Sequence, residues 1–351
     1  MSGGIAQLVA VGAQDVHLVG QPEVSFFRST YKRHTNFSQT VERQVIQGNV
    51  SNGGMSTVRF ERKGDMLGYV YIVPNNGDTT TPGHAIDVWR DKIAKVELLI
   101  GGQVIDEQDS VYSTLIAPTL SATSSSKSIG GNIFGGADVS KFYPLRFSFC
   151  ENWQSALPLI SLQYHDVELR ITWGSAAVGE KWDVYANYAY LDTQEREVFA
   201  SQPQDMIMTQ VQKAIASGSK IQEMNFNHPV KYIAAADASD LAILADRNKL
   251  KLQINGTDVA DYKFADPHFT TIPLYYHTSN SNTDPIRAKK LFFYPFCLDA
   301  SKLQPTGSLN FSRLDSARII NDSDNSDKDI YAVNYNVLRI ENGMGGLLYS
   351  N

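Results

Sequence analysis

Apolar and polar residues alternate without a break along Val167-Glu168-Leu169-Arg170-Ile171-Thr172-Trp173. That period of two predicts a β-strand with one buried face. Leu67-Gly68-Tyr69-Val70-Tyr71-Ile72-Val73, residues 250–254 and residues 331–340 are rich in β-branched and aromatic side chains and predict further strands. Gly101-Gly102 and Asn255-Gly256 each separate two such runs. Both dipeptides accept positive φ at little cost, so each predicts a tight hairpin turn. Helical signal is thin: residues 110–116, 193–200 and 266–270 are short candidates. Many short strands, polar loops and few helices predict an all-β chain of sandwiches or barrels, not a parallel α/β sheet.

The strand pattern repeats. Lys95-Val96-Glu97-Leu98-Leu99-Ile100-Gly101-Gly102 echoes Lys249-Leu250-Lys251-Leu252-Gln253-Ile254-Asn255-Gly256. Pro158, Ser161, Leu162, Gln163 and Tyr164 echo Pro305, Ser308, Leu309, Asn310 and Phe311. Asp183-Val184-Tyr185-Ala186-Asn187-Tyr188 echoes Asp329-Ile330-Tyr331-Ala332-Val333-Asn334-Tyr335. Three matches in one order, at an offset of roughly one domain length, predict two copies of one β-rich domain. The best linker by composition is Ala214-Ile215-Ala216-Ser217-Gly218-Ser219-Lys220. The expected organisation is an arm over residues 1–25, a first domain over 26–213, a linker over 214–220 and a second domain over 221–351. The Ser- and Gly-rich stretch 119–137 and the polar stretches 278–284 and 321–328 belong in loops at the strand ends.

Charge and composition narrow the function. The formal net charge is −6, so the protein has no global basic field for sequence-independent nucleic-acid binding. The longest apolar runs, such as Leu291-Phe292-Phe293-Tyr294-Pro295-Phe296, fall far short of the ~20 residues of a spanning helix. The first residues lack a positive segment followed by a compact apolar block, which argues for use without secretion. Cys150 and Cys297 close similar aromatic runs in the two repeats. Equivalent positions in separate cores predict two buried free thiols, not a disulfide.

Catalytic and ligand motifs are missing. There is no His-Glu-x-x-His, Cys-x-x-Cys or histidine cluster, and no Gly-x-Ser-x-Gly elbow. Gly130-Gly131-Asn132-Ile133-Phe134-Gly135-Gly136 has no Lys-Ser/Thr after it, so it reads as a surface loop. Asp322-Ser323-Asp324-Asn325-Ser326-Asp327 lacks the glycine and glutamate of a calcium loop and reads as a solvated acidic loop. Asn36, Asn49, Asn255, Asn310 and Asn321 each begin a short Asn-x-Ser/Thr sequon, a pattern common by chance. Arg28, Lys32, Arg33 and His34 lie among Phe26, Phe27, Tyr31 and Phe37. A nucleic-acid patch has this look, but so does a packed segment with a solvated basic face, which is the preferred reading.

The ends of the chain carry a longer signal. Gly3-Gly4-Ile5-Ala6-Gln7-Leu8-Val9-Ala10-Val11-Gly12-Ala13-Gln14-Asp15-Val16, then Phe26-Phe27 and Tyr31-Lys32-Arg33-His34-Thr35-Asn36-Phe37, open it. Gly307-Ser308-Leu309-Asn310-Phe311-Ser312-Arg313-Leu314-Asp315, the stretch 331–340 and Gly343-Met344-Gly345-Gly346-Leu347 close it. This sequence resembles the major capsid proteins of nucleocytoplasmic large DNA viruses, of the phycodnavirus and mimivirus-like type. The resemblance implies a double jelly roll: two tandem eight-stranded antiparallel sandwiches with short helices in loops. It implies a structural, non-enzymatic virion protein that forms homotrimeric, pseudo-hexameric capsomers tiling an icosahedral shell. The implied partners are neighbouring capsomers, minor capsid proteins and an inner viral membrane, with no cofactor, no metal and no sequence-specific nucleic acid. The chain is short for that family, and the difference should fall in its loops.

The expected assembly interface is the N-terminal segment, through Ile5, Leu8, Val9, Val11, Val16, Arg28, Tyr31, Arg33 and His34. Apolar residues this dense do not stay exposed side by side in a solvated tail. Two other readings stand beside this one. The first is a minor or paralogous capsid protein of the same fold. The second is a glycan-binding or glycan-processing protein on tandem jelly rolls, which would need acidic residues meeting in a cleft between the rolls. Glu168, Asp183 and Asp329 are available for that, though strand alternation and turn positions already account for them.

Overall fold

The computed structural model describes residues 3–75, 86–123, 142–279 and 289–350. The chain divides into two units, Met1–Asn36 and Phe37–Asn351. The first holds a helix, Gly3–Val9, a 3-10 turn, Ala13–Asp15, and a helical turn, Val16–Val19, none with a buried residue. Asp15 Oδ2 accepts the Gly12 N–H at 2.7 Å and fixes the turn between them. This unit runs eleven residues beyond the arm expected over 1–25. Residues 26–36 find no strand partner, and the first strand begins at Phe37.

The second unit is mainly β, with short helices between its strands. Its first half holds β1 (Phe37–Gln44), β2 (Ile46–Gln47), β3 (Met55–Arg59), β4 (Met66–Pro74) and β5 (Ile93–Ile100). It continues with β6 (Gln103–Asp109), β7 (Tyr143–Pro144), β8 (Leu157–Pro158), β9 (Val167–Trp173) and β10 (Trp182–Leu191). The second half holds β11 (Gln204–Ala214), β12 (Ile221–Glu223), β13 (Pro229–Ala236), β14 (Lys249–Ile254), β15 (Thr257–Asp258) and β16 (Lys263–Phe264). It ends with β17 (Leu291–Pro295), β18 (Leu309–Asn310), β19 (Ala317–Asn321), β20 (Ile330–Glu341) and β21 (Met344–Leu347).

The first half folds into a sheet in the order β1-β10-β4-β7, with β8 on β4, and a sheet in the order β2-β3-β9-β5-β6. The second half repeats the plan with β11-β20-β13-β17, flanked by β18 and β21, and β12-β19-β14-β15, with β16 on β14. The strand pairs are antiparallel. This is the double jelly roll that the resemblance implied.

The sequence echoes fall on equivalent strands. Tyr185 on β10 faces Arg43 on β1 and Tyr71 on β4. Tyr331 on β20 faces Lys213 on β11 and Ala234 on β13. Gly101-Gly102 turns β5 into β6, and Asn255-Gly256 turns β14 into β15, all four with positive φ. Cys150 and Cys297 follow the equivalent strands β7 and β17 as free thiols. Cys297 is buried and Cys150 half-buried against the first core, and burial pushes both thiols up.

Residues 214–220 are not the passage between rolls. β11 pairs with β20 from Gln204–Ile340 to Ala214–Ile330, so residues 204–214 belong to the second roll. The small polar stretch instead carries the chain from one sheet of that roll to the other, between β11 and β12. A sheet-to-sheet crossing needs the same compact, turn-forming residues as a linker. The rolls are joined through residues 192–203, where Asp192 caps the helix Thr193–Ser201. The stretches 124–137 and 280–284, expected as loops, lie outside the described residues.

Each roll encloses a core. Leu67, Val70, Ile72, Val96, Leu98, Leu169, Ile171, Trp173 and Val184 close the first; Ile233, Leu250, Leu252, Phe292, Ile319 and Ala332 close the second. Along β9 alternate residues are buried, as the sequence period requires. β13 and β20 differ: Val230 to Ala236 and Ile330 to Asn336 are buried without interruption. A strand reads this way when both of its faces are covered.

Candidate assembly surfaces

The outer face of β13 and β20 is covered largely by the first roll, with Leu274, Cys297 and Ala300 of the second roll completing the cover. The connection from β6 toward β7 holds a helix, π-helical over Tyr112–Ile116 and α-helical over Ala117–Leu120. All nine of its residues are buried. Tyr112, Leu115, Ile116, Ala117 and Leu120 form a third core with Tyr232, Ala234, Phe293, Tyr331 and Val333 of the second roll. A helix buried on every side must satisfy its polar groups internally, and Thr114 and Thr119 do so by donating to the Ser110 and Leu115 carbonyls.

Polar contacts fix the register of this seam. Asp109 Oδ1 accepts the Tyr112 N–H at 3.0 Å, while its Oδ2 accepts from the Tyr331 hydroxyl and lies 3.2 Å from Lys213 Nζ. Asp106 Oδ1 accepts the Val211 N–H at 2.9 Å, and the Tyr232 hydroxyl lies 2.6 Å from Ser121 Oγ. Burial pushes the Asp106 carboxyl up to about 7, against the pull of its N–H donors. A cleft of about 750 Å³ opens along the seam, lined among others by Arg90, Lys95, Asp106, Asp109, Lys213 and Tyr331.

The three carboxylates that a glycan-processing site would use do not meet in this cleft. Glu168 lies on β9, opposite Arg59. Asp183 pairs with Arg43 at 2.7 Å and accepts from Asn75. Asp329 pairs with Lys213 at 2.8 Å and accepts the Ala216 N–H. Asp183 and Asp329 occupy equivalent places, one per roll, and each holds the cation of the neighbouring strand. Among the described residues no three His, Cys, Asp or Glu side chains form a metal-binding group. Three sequon asparagines serve the fold: Asn255 accepts from Asp315 and Ser316, Asn310 caps a 3-10 turn, and Asn321 is buried.

The N-terminal residues expected to carry assembly are all exposed. Ile5, Leu8 and Val9 share one face of the first helix by their i, i+3, i+4 spacing, and Val11 and Val16 follow. Arg28 lies at a bend, and Tyr31, Arg33 and His34 lie outside any helix or strand, with His34 Nδ1 2.8 Å from the Thr35 carbonyl.

Sequence reasoning did not single out the outer face of the first roll's β1-β10-β4-β7 sheet. There Tyr71 contacts Tyr69, Tyr185 and Phe142 at ring distances of 6.3, 5.5 and 6.0 Å, and Trp153 packs edge-on to Tyr69 at 5.7 Å. Its signal was the Tyr-Val-Tyr alternation of residues 69–71, which sends two aromatic rings out of one face.

Two rolls cemented through a shared helix, with aromatic surface on the outer face of the first, define a double jelly-roll structural protein. Family models agree along nearly the whole chain. Residues 25–246 match the major capsid protein N-terminus, and residues 244–346 match the large eukaryotic DNA virus major capsid protein. The major capsid protein of Pyramimonas orientalis virus is 34% identical, with all of both chains covered. That of Paramecium bursaria Chlorella virus 1 is 29% identical over the same coverage. A solved quasi-atomic model of the PBCV-1 virus capsid is 25% identical over 93% of this chain and 100% of that chain, with a TM-score of 0.75. The Faustovirus major capsid protein, 12% identical over 94% of each chain, shares the fold with a TM-score of 0.64. The chain belongs to the major capsid proteins of large eukaryotic DNA viruses, and it is a component of the virion.

Proposed function

We propose that three copies of this chain form a capsomer of pseudo-hexagonal outline, and that such capsomers tile an icosahedral shell. The observation that carries this is the duplication: one chain presents two rolls of the same strand order, so three chains present six. Assembly then proceeds by burial of surface between copies and closure by symmetry, with no catalytic step. Electron microscopy of the purified protein tests it. A three-fold particle with a hexagonal outline is expected; a monomer at micromolar concentration would overturn the reading.

The N-terminal segment fits the role of an arm on the inner side of the shell, reaching neighbouring capsomers, minor capsid proteins or membrane. It carries Ile5, Leu8, Val9, Val11, Val16, Leu18 and Val19 in exposed positions. Full burial of such groups contributes about 1.5–3 kcal/mol each, enough for a partner to hold the segment. Deleting residues 2–20 should leave stable trimers that fail to form shells. Unchanged shell formation would sink the arm, and a protein that no longer folds would place the segment in the monomer's own structure.

A further inference from the structure

The two rolls share a strand order, yet their outer sheet faces have different fates. In the second roll that face is sealed by the helix of residues 112–120 from the first. In the first roll no helix among the described residues seals the equivalent face in this way. Tyr69, Tyr71 and Tyr185 are only half-buried, Trp153 is 59% exposed and Phe142 is 43% exposed. The ion pair at its edge, Arg43–Asp183, sits at the register position of Lys213–Asp329 on the sealed face.

The second roll carries its own version of the sealing helix. Thr271–His277 lies between β16 and β17, as residues 112–120 lie between β6 and β7. Its Pro273 and Leu274 are buried, and the helix packs beside β17. Ile272, Tyr275 and Tyr276 point away, exposed by 40, 78 and 71%, with the two tyrosine rings 4.8 Å apart. Among the described residues the pattern therefore ends with one exposed helix face and one partly exposed aromatic sheet face.

We infer that these two surfaces are halves of one interface: the helix Thr271–His277 of one copy seals the outer β1-β10-β4-β7 face of the next. The inference rests on the capsomer reading and names the contact that would build it. A second copy is the occupant because the chain already shows this joint once, between its own rolls. Repeating the same step from the second roll to the next chain's first roll is a head-to-tail contact, the kind that closes into a ring. The sheet side carries Tyr and Trp and the helix side two Tyr, residue types that dominate binding at desolvated interface centres.

The test uses the full chain and mass photometry. The wild type is expected to be a trimer. Tyr275→Glu/Tyr276→Glu, and separately Trp153→Glu, should each give folded monomers, with trimer affinity weakened about 100-fold or more. Tyr275→Ser/Tyr276→Ser repeats the first test without adding charge. Mixing the helix variant with the Trp153→Glu variant restores one intact joint, so a 1:1 dimer is expected and no trimer. If the helix variants stay trimeric, the capsomer stands but this interface does not. A mixture that remains monomeric also overturns the pairing, and a monomeric wild type overturns both the pairing and the capsomer reading.

Discussion

Leu115 offers a direct measure of how firmly the two rolls are joined. It has no exposed surface and sits on the helix shared between them, packed in the third core with Tyr232, Phe293 and Tyr331 among others. Leu115→Ala removes about three carbon groups, each worth ~0.8 kcal/mol in transfer from water. The enclosing sheet and helix are held by ladder hydrogen bonds and by Asp109, so the site collapses poorly. The cavity term then raises the total loss to about 3–5 kcal/mol. The effect should also have a shape. A core mutation within one roll, such as Leu169→Ala, weakens that roll directly. Leu115→Ala weakens the seam, so the rolls should begin to melt apart. Differential scanning calorimetry of the full chain reads both. The expectation is a lowered melting temperature and a transition whose calorimetric enthalpy exceeds its van't Hoff enthalpy. A loss under about 1 kcal/mol with a single unbroadened transition would refute the role given to this helix.

Other consequences can be checked with ordinary variants. The Asp106 carboxyl rises from 3.8 to about 7 in the fold, so between those values the folded chain keeps a proton that the unfolded chain has lost. Stability is then fully present below about pH 4 and falls as pH rises through 7, by at most roughly 1.4 kcal/mol per unit. Melts from pH 4 to 8 should show this slope, and Asp106→Asn should flatten it; an unchanged slope in the variant refutes the assignment. At Gly174 an added Cβ would lie 2.0 Å from the Asp91 carbonyl oxygen, and the Gly174 N–H already binds Lys92 O. Gly174→Ala should therefore cost about 1–3 kcal/mol in urea unfolding, and a neutral result would contradict the packing described. The two thiols predict identical denatured masses with and without reductant; a difference of two protons would reveal a disulfide.

Much of the architecture was legible because strands facing one core write their period into the sequence. Residues 167–173 alternate in sequence and in burial alike. The duplication was legible because turn chemistry and strand order were kept together, down to Gly102 and Gly256. The failures have local causes. Residues 214–220 resembled a linker because a crossing between sheets uses the same small polar residues. The helix runs on through Leu120, past the expected end at 116 and into the stretch 119–137 whose Ser- and Gly-rich composition predicts a loop. Pro118 falls where the π-helical turn gives way to α-helix, the kind of irregularity in the hydrogen-bond ladder that accommodates a proline inside a helix. The helix Thr271–His277 escaped notice because Pro273 interrupts it and seven residues show too little period. The aromatic face of the first roll was visible as an alternation, but sequence alone does not say which face of a strand stays uncovered.

The seam between the rolls is made within one chain, and this changes its thermodynamics. A contact between separate molecules is half-made only when concentration matches its dissociation constant. Tethered partners meet at an effective concentration on the order of millimolar, whatever the protein concentration. The short tether of residues 192–203 places the second roll in that regime. This seam can therefore tolerate the polar groups it contains, Asp106, Asp109, Gln210 and Lys213, and still be fully formed in a dilute solution. Joining two rolls into one polypeptide removes a concentration requirement from half of the joints in the proposed six-roll ring and leaves it on the other half.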